Sequence, residues 1–321
     1  MSTLSPEDWA KERLRASGIE VTGPAERIGA RAWSSQFRVP TASGHVYFKS
    51  SPPAFGHEAA LTLALSEWFP GDVPEVVAAD PERNWMLTAD FDSGGEFRDP
   101  GCVLREYPRM ISVFTRIQVD SARRVEELLA TGCPDHRLEK LPDLFDELVS
   151  EPGGPEARGL TSDEHRELRR LGRDFRETCG LLAAHAVPET VVHADLWRGN
   201  FLVSAGRPLI FDWAESMVAH PFFSLMVVLQ DVRALAPGDD RRPAQITDAY
   251  LKAWRHVAPE GRLAGAARLA AAPALVSRAL MWRNAIAGLD ARHRARYEGT
   301  VADQLRTLLR HPPEPVAGDR R

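Results

Sequence analysis

Apolar positions along this chain follow two periods, and the change between them divides the sequence. Ser5-Pro6-Glu7-Asp8 places a capping serine, a first-turn proline and two acids where a helix begins. Trp9, Leu14 and Ile19 then trace one apolar line, and Gly18 is a stop, so a short leading helix is predicted. From residue 25 the period shortens. Arg27-Ile28, Gln36–Val39 and Val46–Lys49 read as strands, with a loop over Gly29–Ser35 and a turn over Thr41–Gly44. Val73–Asp80 and Trp85–Phe91 read as two more strands. Between them Glu58–Phe69 carries Leu61, Leu63, Ala64, Leu65 and Trp68 on the apolar side of a helix. The prediction is a five-stranded antiparallel sheet with one main helix. Asp92-Ser93-Gly94-Gly95 is a composition break of the kind a linker has.

From residue 101 the apolar spacing lengthens to three and four. Met110, Ile111, Phe114, Ile117, Val125 and Leu128 predict one helix over 107–130, and Leu138–Leu148 a shorter one. Glu151–Pro155 interrupts the pattern. Thr161-Ser162-Asp163-Glu164 is a capping box opening a helix with Leu168, Leu171, Phe175, Cys179 and Leu182 on one side, ending near His185. Strand character returns at Val191-Val192, Phe201–Val203 and Pro208–Phe211, the last two joined by a turn at Ala205-Gly206-Arg207. Beyond Asp212 the chain reads as helical over Phe222–Leu229, Ile246–Val257 and Leu263–Leu289, with a turn at Pro237–Asp240. The tail after His311 is Pro-rich and has the composition of a disordered end.

Composition changes this picture little. The 321 residues are 44% hydrophobic and 26% charged, enough for one large domain or two lobes with a sizeable core. A net charge of −5 carries no nucleic-acid footprint, although acidic side chains dominate residues 80–190 and basic ones residues 215–321. Cys102, Cys133 and Cys179 are spaced for neither a zinc site nor a disulfide framework, which points to a reducing compartment. Met1–Asp8 has no basic stretch followed by an apolar run, and no apolar stretch is long enough to span a membrane. The expectation is a cytoplasmic protein.

The chemistry concentrates in residues 191–213. Asp195, Asn200 and Asp212 are polar groups set among strand-like apolar residues, and the last two flank a short hairpin. A carboxylate at Asp195 can accept the proton of a hydroxyl nucleophile. An amide oxygen at Asn200 and a carboxylate at Asp212 suit Mg²⁺, a hard cation that prefers oxygen. The five-residue interval from Asp to Asn, followed by a second Asp, is the spacing of a kinase catalytic loop. His193 orients that loop through backbone hydrogen bonds. Arg198 meets a phosphate, a substrate anion or solvent, and Trp197 packs or stacks on a substrate. Lys49, at the end of an apolar strand, can reach ATP phosphates while a carboxylate holds it, and Glu58 is the candidate partner. The loop before it, with Ser34 and Ser35, can fold over phosphates through its backbone amides.

On these residues the chain resembles the aminoglycoside phosphotransferase family, the kinase-like antibiotic and small-molecule phosphotransferases. The resemblance implies an α+β, protein-kinase-like two-lobed fold. Residues 1–92 would form a nucleotide-binding lobe built on the antiparallel sheet. Residues 93–311 would form a mainly helical catalytic and acceptor lobe with a short catalytic hairpin, leaving 312–321 as a tail. It further implies Asp195 as catalytic base, Asn200 and Asp212 as Mg²⁺ ligands, and Lys49 with Glu58 on the phosphates of ATP, or of GTP. Adenine would lie against Thr88, Ala89 and Phe91. Two positions depart from the family: Ala194 stands where many members have Gly, and Ser224 where an Asp is usual. The implied reaction is transfer of the γ-phosphate to a hydroxyl of a small molecule, first an antibiotic of aminoglycoside or cationic-peptide type. A ketosamine, sugar or choline-type kinase is the alternative, since Asp195-Leu196-Trp197-Arg198-Gly199-Asn200 also resembles the ketosamine kinases. A nucleotide-binding pseudoenzyme serving as an interaction module is the other class. A protein kinase is disfavoured, because no Asp-Phe-Gly precedes an activation segment ending in Ala-Pro-Glu. The expected partner is a small-molecule acceptor, with no nucleic acid or membrane, and the chain acts as a monomer or homodimer.

Overall fold

The structure, a computed structural model, describes residues 4–31, 34–91, 99–150 and 159–313. Ala32-Trp33 in the expected phosphate loop, the linker Asp92–Gly95, the interruption Glu151–Pro155 and most of the tail lie outside the described residues. The backbone forms two compact units. One comprises Met1–Phe114, Ala130–Cys133 and Arg198–Ala214; the other comprises Thr115–Leu129, Pro134–Trp197 and Glu215–Arg321.

The first unit begins with α1 (Pro6–Ala16). Ser5 caps it by accepting from the Asp8 amide at 3.1 Å, and Gly18 leaves the helix at φ +72°. Strands β1 (Glu26–Arg31), β2 (Ser34–Thr41), β3 (Gly44–Ser50), β4 (Val76–Asp80) and β5 (Trp85–Ala89) make one antiparallel sheet in the order β1-β2-β3-β5-β4. Alternation along the strands sorts the side chains. Phe37, Val39, Val46, Phe48 and Leu87 bury themselves with Trp9, Ala10 and Leu14 of α1. Trp9 meets both Phe48 and Trp85 edge-on. The register pairs Gln36 with Lys49, Lys49 with Met86 and Tyr47 with Thr88, so these five share the opposite face. The loop expected over Gly29–Ser35 is mostly ladder, with Ala30 opposite Ser35 and Arg31 opposite Ser34. Pairing satisfies backbone groups that a loop would leave to water, and the register shift between Arg27 and Gly29 takes up one extra residue, Ile28, on β1. Helix α2 (Glu58–Trp68) follows β3, and the hairpin β7 (Phe201–Ser204)–β8 (Arg207–Ile210) completes the unit.

The helix expected over 107–130 starts earlier and breaks. Helix α3 (Pro100–Ser121) ends where the Arg124 amide turns back onto the Ser121 carbonyl, and α4 (Val125–Ala130) restarts the run.

In the second unit α5 (Leu141–Ser150) packs on α6 (Ser162–Ala183), with Phe145 against Phe175 at 4.7 Å. The Thr161–Glu164 capping box is present in both directions. Strand β6 (Thr190–His193) pairs with β9 (Ser216–Ala219), a strand the sequence pattern did not predict. All eight residues of the pair are buried, so the ladder satisfies backbone groups that water cannot reach. Beyond β9 the chain turns helical at the 3-10 turn Pro221–Ser224 and α7 (Leu225–Leu235), followed by α8 (Arg241–Lys252) and α9 (Glu260–Leu269). The single helix expected over Leu263–Leu289 is two: α10 (Ala271–Ala287) is bent 44° from α9. Helices α11 (Ala291–Arg296) and α12 (Thr300–Arg310) close the described chain, α12 against α10. Among the described residues no single helix is long and apolar enough to cross a membrane.

Candidate active site

Lys49 reaches from β3 into a buried ion cluster of the first unit. Its Nζ lies 2.5 Å from Glu58 Oε1 and 2.6 Å from Asp212 Oδ1, and the Ser51 hydroxyl donates to the other Glu58 oxygen. Glu58 is 1% exposed and Lys49 15% exposed. Burial alone would lower the Lys49 pKa. The two carboxylates outweigh it and hold the ammonium above its ordinary value. Burial pushes the Glu58 carboxyl up, with Lys49 working against that rise. His57, next to Glu58, is buried and lowered to about 4, so it stays neutral.

Two anchors aim these groups. Asn84, in the β4–β5 turn at φ +53°, accepts from the Ala59 amide at 2.9 Å and donates to the Ser51 carbonyl (3.1 Å) and the Phe55 carbonyl (2.8 Å). It thereby ties the start of α2, which carries Glu58, to the end of β3, which carries Lys49. The hairpin β7–β8 is held by Asp72. Its carboxylate accepts from Arg207 at 2.9 Å, and its carbonyl accepts from the Ile210 amide at 2.8 Å. The Phe211 amide donates to the Asn200 carbonyl at 3.0 Å, closing the mouth of the hairpin with Asn200 on one side and Asp212 beyond the other. Asp212 adopts φ +63°, a conformation aspartate tolerates better than most residues.

A cavity within this unit brings several of the predicted residues together. Lys49, Asn200 and Asp212 line it with Thr88, Phe91, Gln36, Tyr47, Met86 and Phe211. Phe91 packs on Phe211 at 5.3 Å. The wall takes Gln36 rather than Ser34 or Ser35, and Thr88 rather than Ala89. Ser34 instead accepts from the Gln36 amide group at 3.1 Å, and Ser35 is exposed on β2. Sequence reasoning missed Gln36, Tyr47 and Met86, although a count of two along each strand from Lys49 selects that face. Arg198 is half-buried in the segment entering β7.

The second unit presents Asp195 at the end of β6. His193 is buried, its amide donates to the Ser224 hydroxyl at 3.2 Å, and its Nδ1 accepts from the Asp195 amide at 3.2 Å. Ser224 thus grips the backbone at a position where the family usually has a carboxylate. Gln118 braces β6 from α3, donating to the carbonyls of Val191 (3.0 Å) and Pro221 (3.3 Å) while Thr190 donates to its backbone oxygen (2.6 Å). The Tyr250 hydroxyl closes this group through Gln118 and the Pro221 carbonyl. Asp195 and Glu215 both lie 3.9 Å from the Arg278 guanidinium.

Among the described residues no three His, Cys, Asp or Glu side chains cluster as a self-sufficient metal site. Asn200 and Asp212 on one cavity wall nevertheless form an all-oxygen pair. That donor set fits Mg²⁺, which usually takes one or two protein oxygens and completes its shell with phosphates and water.

Residues 25–265 match the phosphotransferase enzyme family, and the chain belongs to that family. Among curated proteins none matches the sequence. Several solved structures are similar. Choline kinase LicA from Streptococcus pneumoniae is 14% identical, with 94% of this chain and 99% of that chain covered and a TM-score of 0.60. Macrolide 2'-phosphotransferase type I is 16% identical over 94% and 99%, with a TM-score of 0.57. The aminoglycoside phosphotransferase APH(3'')-Id from Streptomyces rimosus, in complex with ADP and streptomycin, is 18% identical over 84% and 99%, with a TM-score of 0.50. At such identities the likeness is one of fold, and the fold is α+β and kinase-like. As a family member the chain is a phosphotransferase.

Proposed function

We propose that this enzyme transfers the γ-phosphate of ATP, or of GTP, to a hydroxyl group of a small molecule with the help of Mg²⁺. The observation that carries the reading is the buried Lys49 ammonium held between Glu58 and Asp212 at the wall of the cavity that Asn200 also lines. A lysine fixed by two carboxylates is a poor general base and a good phosphate anchor. Residues 1–92 form the nucleotide lobe in this reading, with Thr88 and Phe91 along the base and Gln36 and Tyr47 completing the wall. Residues 93–311 supply the catalytic segment and the acceptor site. Asn200 and Asp212 would hold Mg²⁺, which supplies charge neutralisation of the phosphates. Asp195 takes the acceptor proton as the acceptor oxygen bonds to the γ-phosphorus and the bond to the departing ADP oxygen breaks. Asn200 follows Asp195 by five positions, and an extended chain of that length spans at most about 18 Å. His193 and Ser224 hold the backbone on which Asp195 rides.

An antibiotic of aminoglycoside or cationic-peptide type is the first acceptor class. The second class is the metabolic small-molecule kinases: the run Asp195-Leu196-Trp197-Arg198-Gly199-Asn200 favours a ketosamine kinase, and sugar and choline-type kinases stay open beside it. ADP release measured over a panel of hydroxylated antibiotics, amino sugars, ketosamines and choline separates the two. Acceptor-dependent turnover should fall about a thousandfold in Asp195→Ala, with nucleotide binding retained. Undiminished transfer in that variant would remove Asp195 as the base. Nucleotide binding without turnover on any acceptor would leave two readings, an acceptor outside the panel or a binding module, and ligand-induced melting shifts across a wider library would separate them.

A further inference from the structure

Arg278 sits in the middle of α10, between Ser277 and Ala279, in a helix whose buried residues include Ala274, Leu275, Val276, Leu280 and Met281. Its side chain is only 14% exposed. A guanidinium among such neighbours is costly to desolvate unless something specific receives its charge and its hydrogens. Two features of the second unit do so. The guanidinium donates to the carbonyl of Ala194, the residue immediately before Asp195. It also lies 3.9 Å from Asp195 Oδ1 and 3.9 Å from Glu215 Oε2.

We infer that Arg278 is a positioning residue for the Asp195 carboxylate, fixing the catalytic segment from α10 while Glu215 shares its charge. This rests on the proposed role of Asp195. Other restraints on the segment include its own strand pair, neighbouring backbone, the His193 ring and the Ser224 hydroxyl that accepts from the His193 amide at 3.2 Å. The Ala194 amide donates to the Glu215 carbonyl at 2.8 Å, the Asp195 amide to His193 at 3.2 Å, and the Trp197 amide to the Asp195 carbonyl at 3.0 Å. Arg278 adds a side-chain tie to the Ala194 carbonyl, which sets the peptide plane from which Asp195 departs. At 3.9 Å its attraction to the carboxylate is Coulombic and longer than a hydrogen bond, so it orients Asp195 without holding it in a close fork. Glu215 on the other flank keeps the guanidinium from being a dedicated partner of the base. Arg278 lies beyond residues 25–265, the part of the chain that matches the family.

The test compares Arg278→Ala and Arg278→Lys in the full chain, with two readouts. The first is amide hydrogen exchange over residues 193–197. Arg278→Ala should lose protection there and keep it in β7–β8. The second is steady-state kinetics on an acceptor that the wild type turns over. There kcat should fall on the order of 100-fold, the scale of a small misplacement of a catalytic group, while the KM for ATP stays as in the wild type. Added guanidinium ion should restore part of kcat to Arg278→Ala, an effect that a merely structural role does not produce. Unchanged exchange at 193–197 overturns the inference. So does a loss of kcat that tracks a fall in melting temperature with no guanidinium rescue. If Arg278→Ala does not fold, Arg278→Lys is read by the same two measures. It retains the charge and lacks the planar fork, and wild-type exchange and kcat in that variant overturn the inference as well. Undiminished transfer in Asp195→Ala, with exchange still responding to the Arg278 substitution, removes the base role of Asp195 and leaves the positioning intact.

Discussion

Replacing Lys49 by Met removes the cation from a site built to surround it. Glu58, 1% exposed, would keep the Ser51 hydroxyl and lose the ammonium at 2.5 Å; Asp212, 33% exposed, would lose it at 2.6 Å. Breaking one side of a buried ion pair leaves an uncompensated charge and costs about 3–5 kcal/mol. Asp212 can turn to solvent, so most of the penalty falls on Glu58. Burial already pushes the Glu58 carboxyl above its ordinary value, and without Lys49 the rise is larger. A group whose folded pKa is raised stabilises fully below its unfolded value and loses that stability as pH rises through the folded one. Lys49→Met should therefore be least stable, relative to wild type, on the alkaline side, and recover by up to about 1.4 kcal/mol per pH unit as falling pH lets Glu58 take up a proton. Glu58→Gln in the same background removes the orphaned charge. The double variant should regain most of the lost stability and still fail to transfer phosphate. Urea unfolding of the three proteins at two pH values measures all of this. If Lys49→Met matches wild type on the alkaline side, or if the double variant is no more stable than the single, the cluster is not the buried, mutually dependent unit described.

Acid should destabilise the fold before its carboxylates titrate. Burial lowers His57 and His136 to about 4 and His220 to about 3, so all three fold neutral, and the unfolded chain takes up their protons as pH falls through the ordinary value near 6.5. Each histidine then withdraws about 2 kcal/mol by pH 5, against a slower gain from the raised carboxyls of Glu58 and Glu189, and a flat urea midpoint between pH 7 and pH 5 would contradict this. Asn84→Ala should cost about 3 kcal/mol or more in urea unfolding, because it strands buried backbone partners and places alanine at positive φ; a loss below about 1 kcal/mol would mean those groups find other partners.

Period two was enough to read the sheet of the first unit, because its strands bury one face and a shift of one residue would invert every side chain. The same period carried further would have found the cavity wall. Gln36, Tyr47, Met86 and Thr88 are selected by counting from Lys49, and Ala89, one position out of phase, is not. What the strands did not reveal is where pairing ends. Gly29–Ser35 looks like a loop by composition, yet ladder pairing claims most of it. Strand β9 was invisible for a related reason. Ser216–Ala219 is four residues long and buried on all sides, so it alternates with nothing and only its partner β6 defines it. The break of α9 from α10 at Ala270 did carry a signal: Pro273, in the first turn of α10, has no amide to bond the Leu269 carbonyl, but a continuous apolar pattern runs through the joint and masks it.

The candidate site divides along the same line. Asp195, Asn200 and Asp212 are legible because they sit within one short segment whose spacing the chemistry constrains. Lys49 and Glu58 follow from strand-end and helix-start positions on neighbouring elements. Asn84 and Arg278 are different. Each acts through backbone carbonyls or amides far away in sequence: Asn84 on Ser51, Phe55 and Ala59, Arg278 on Ala194. A residue that recognises another residue's backbone leaves no pairing signature, since the recognised position can carry any side chain. Such anchors surface only when the fold brings the chain together. The side chains that define the reaction are therefore the readable part of this protein, and those that hold them in place are the part a single sequence conceals.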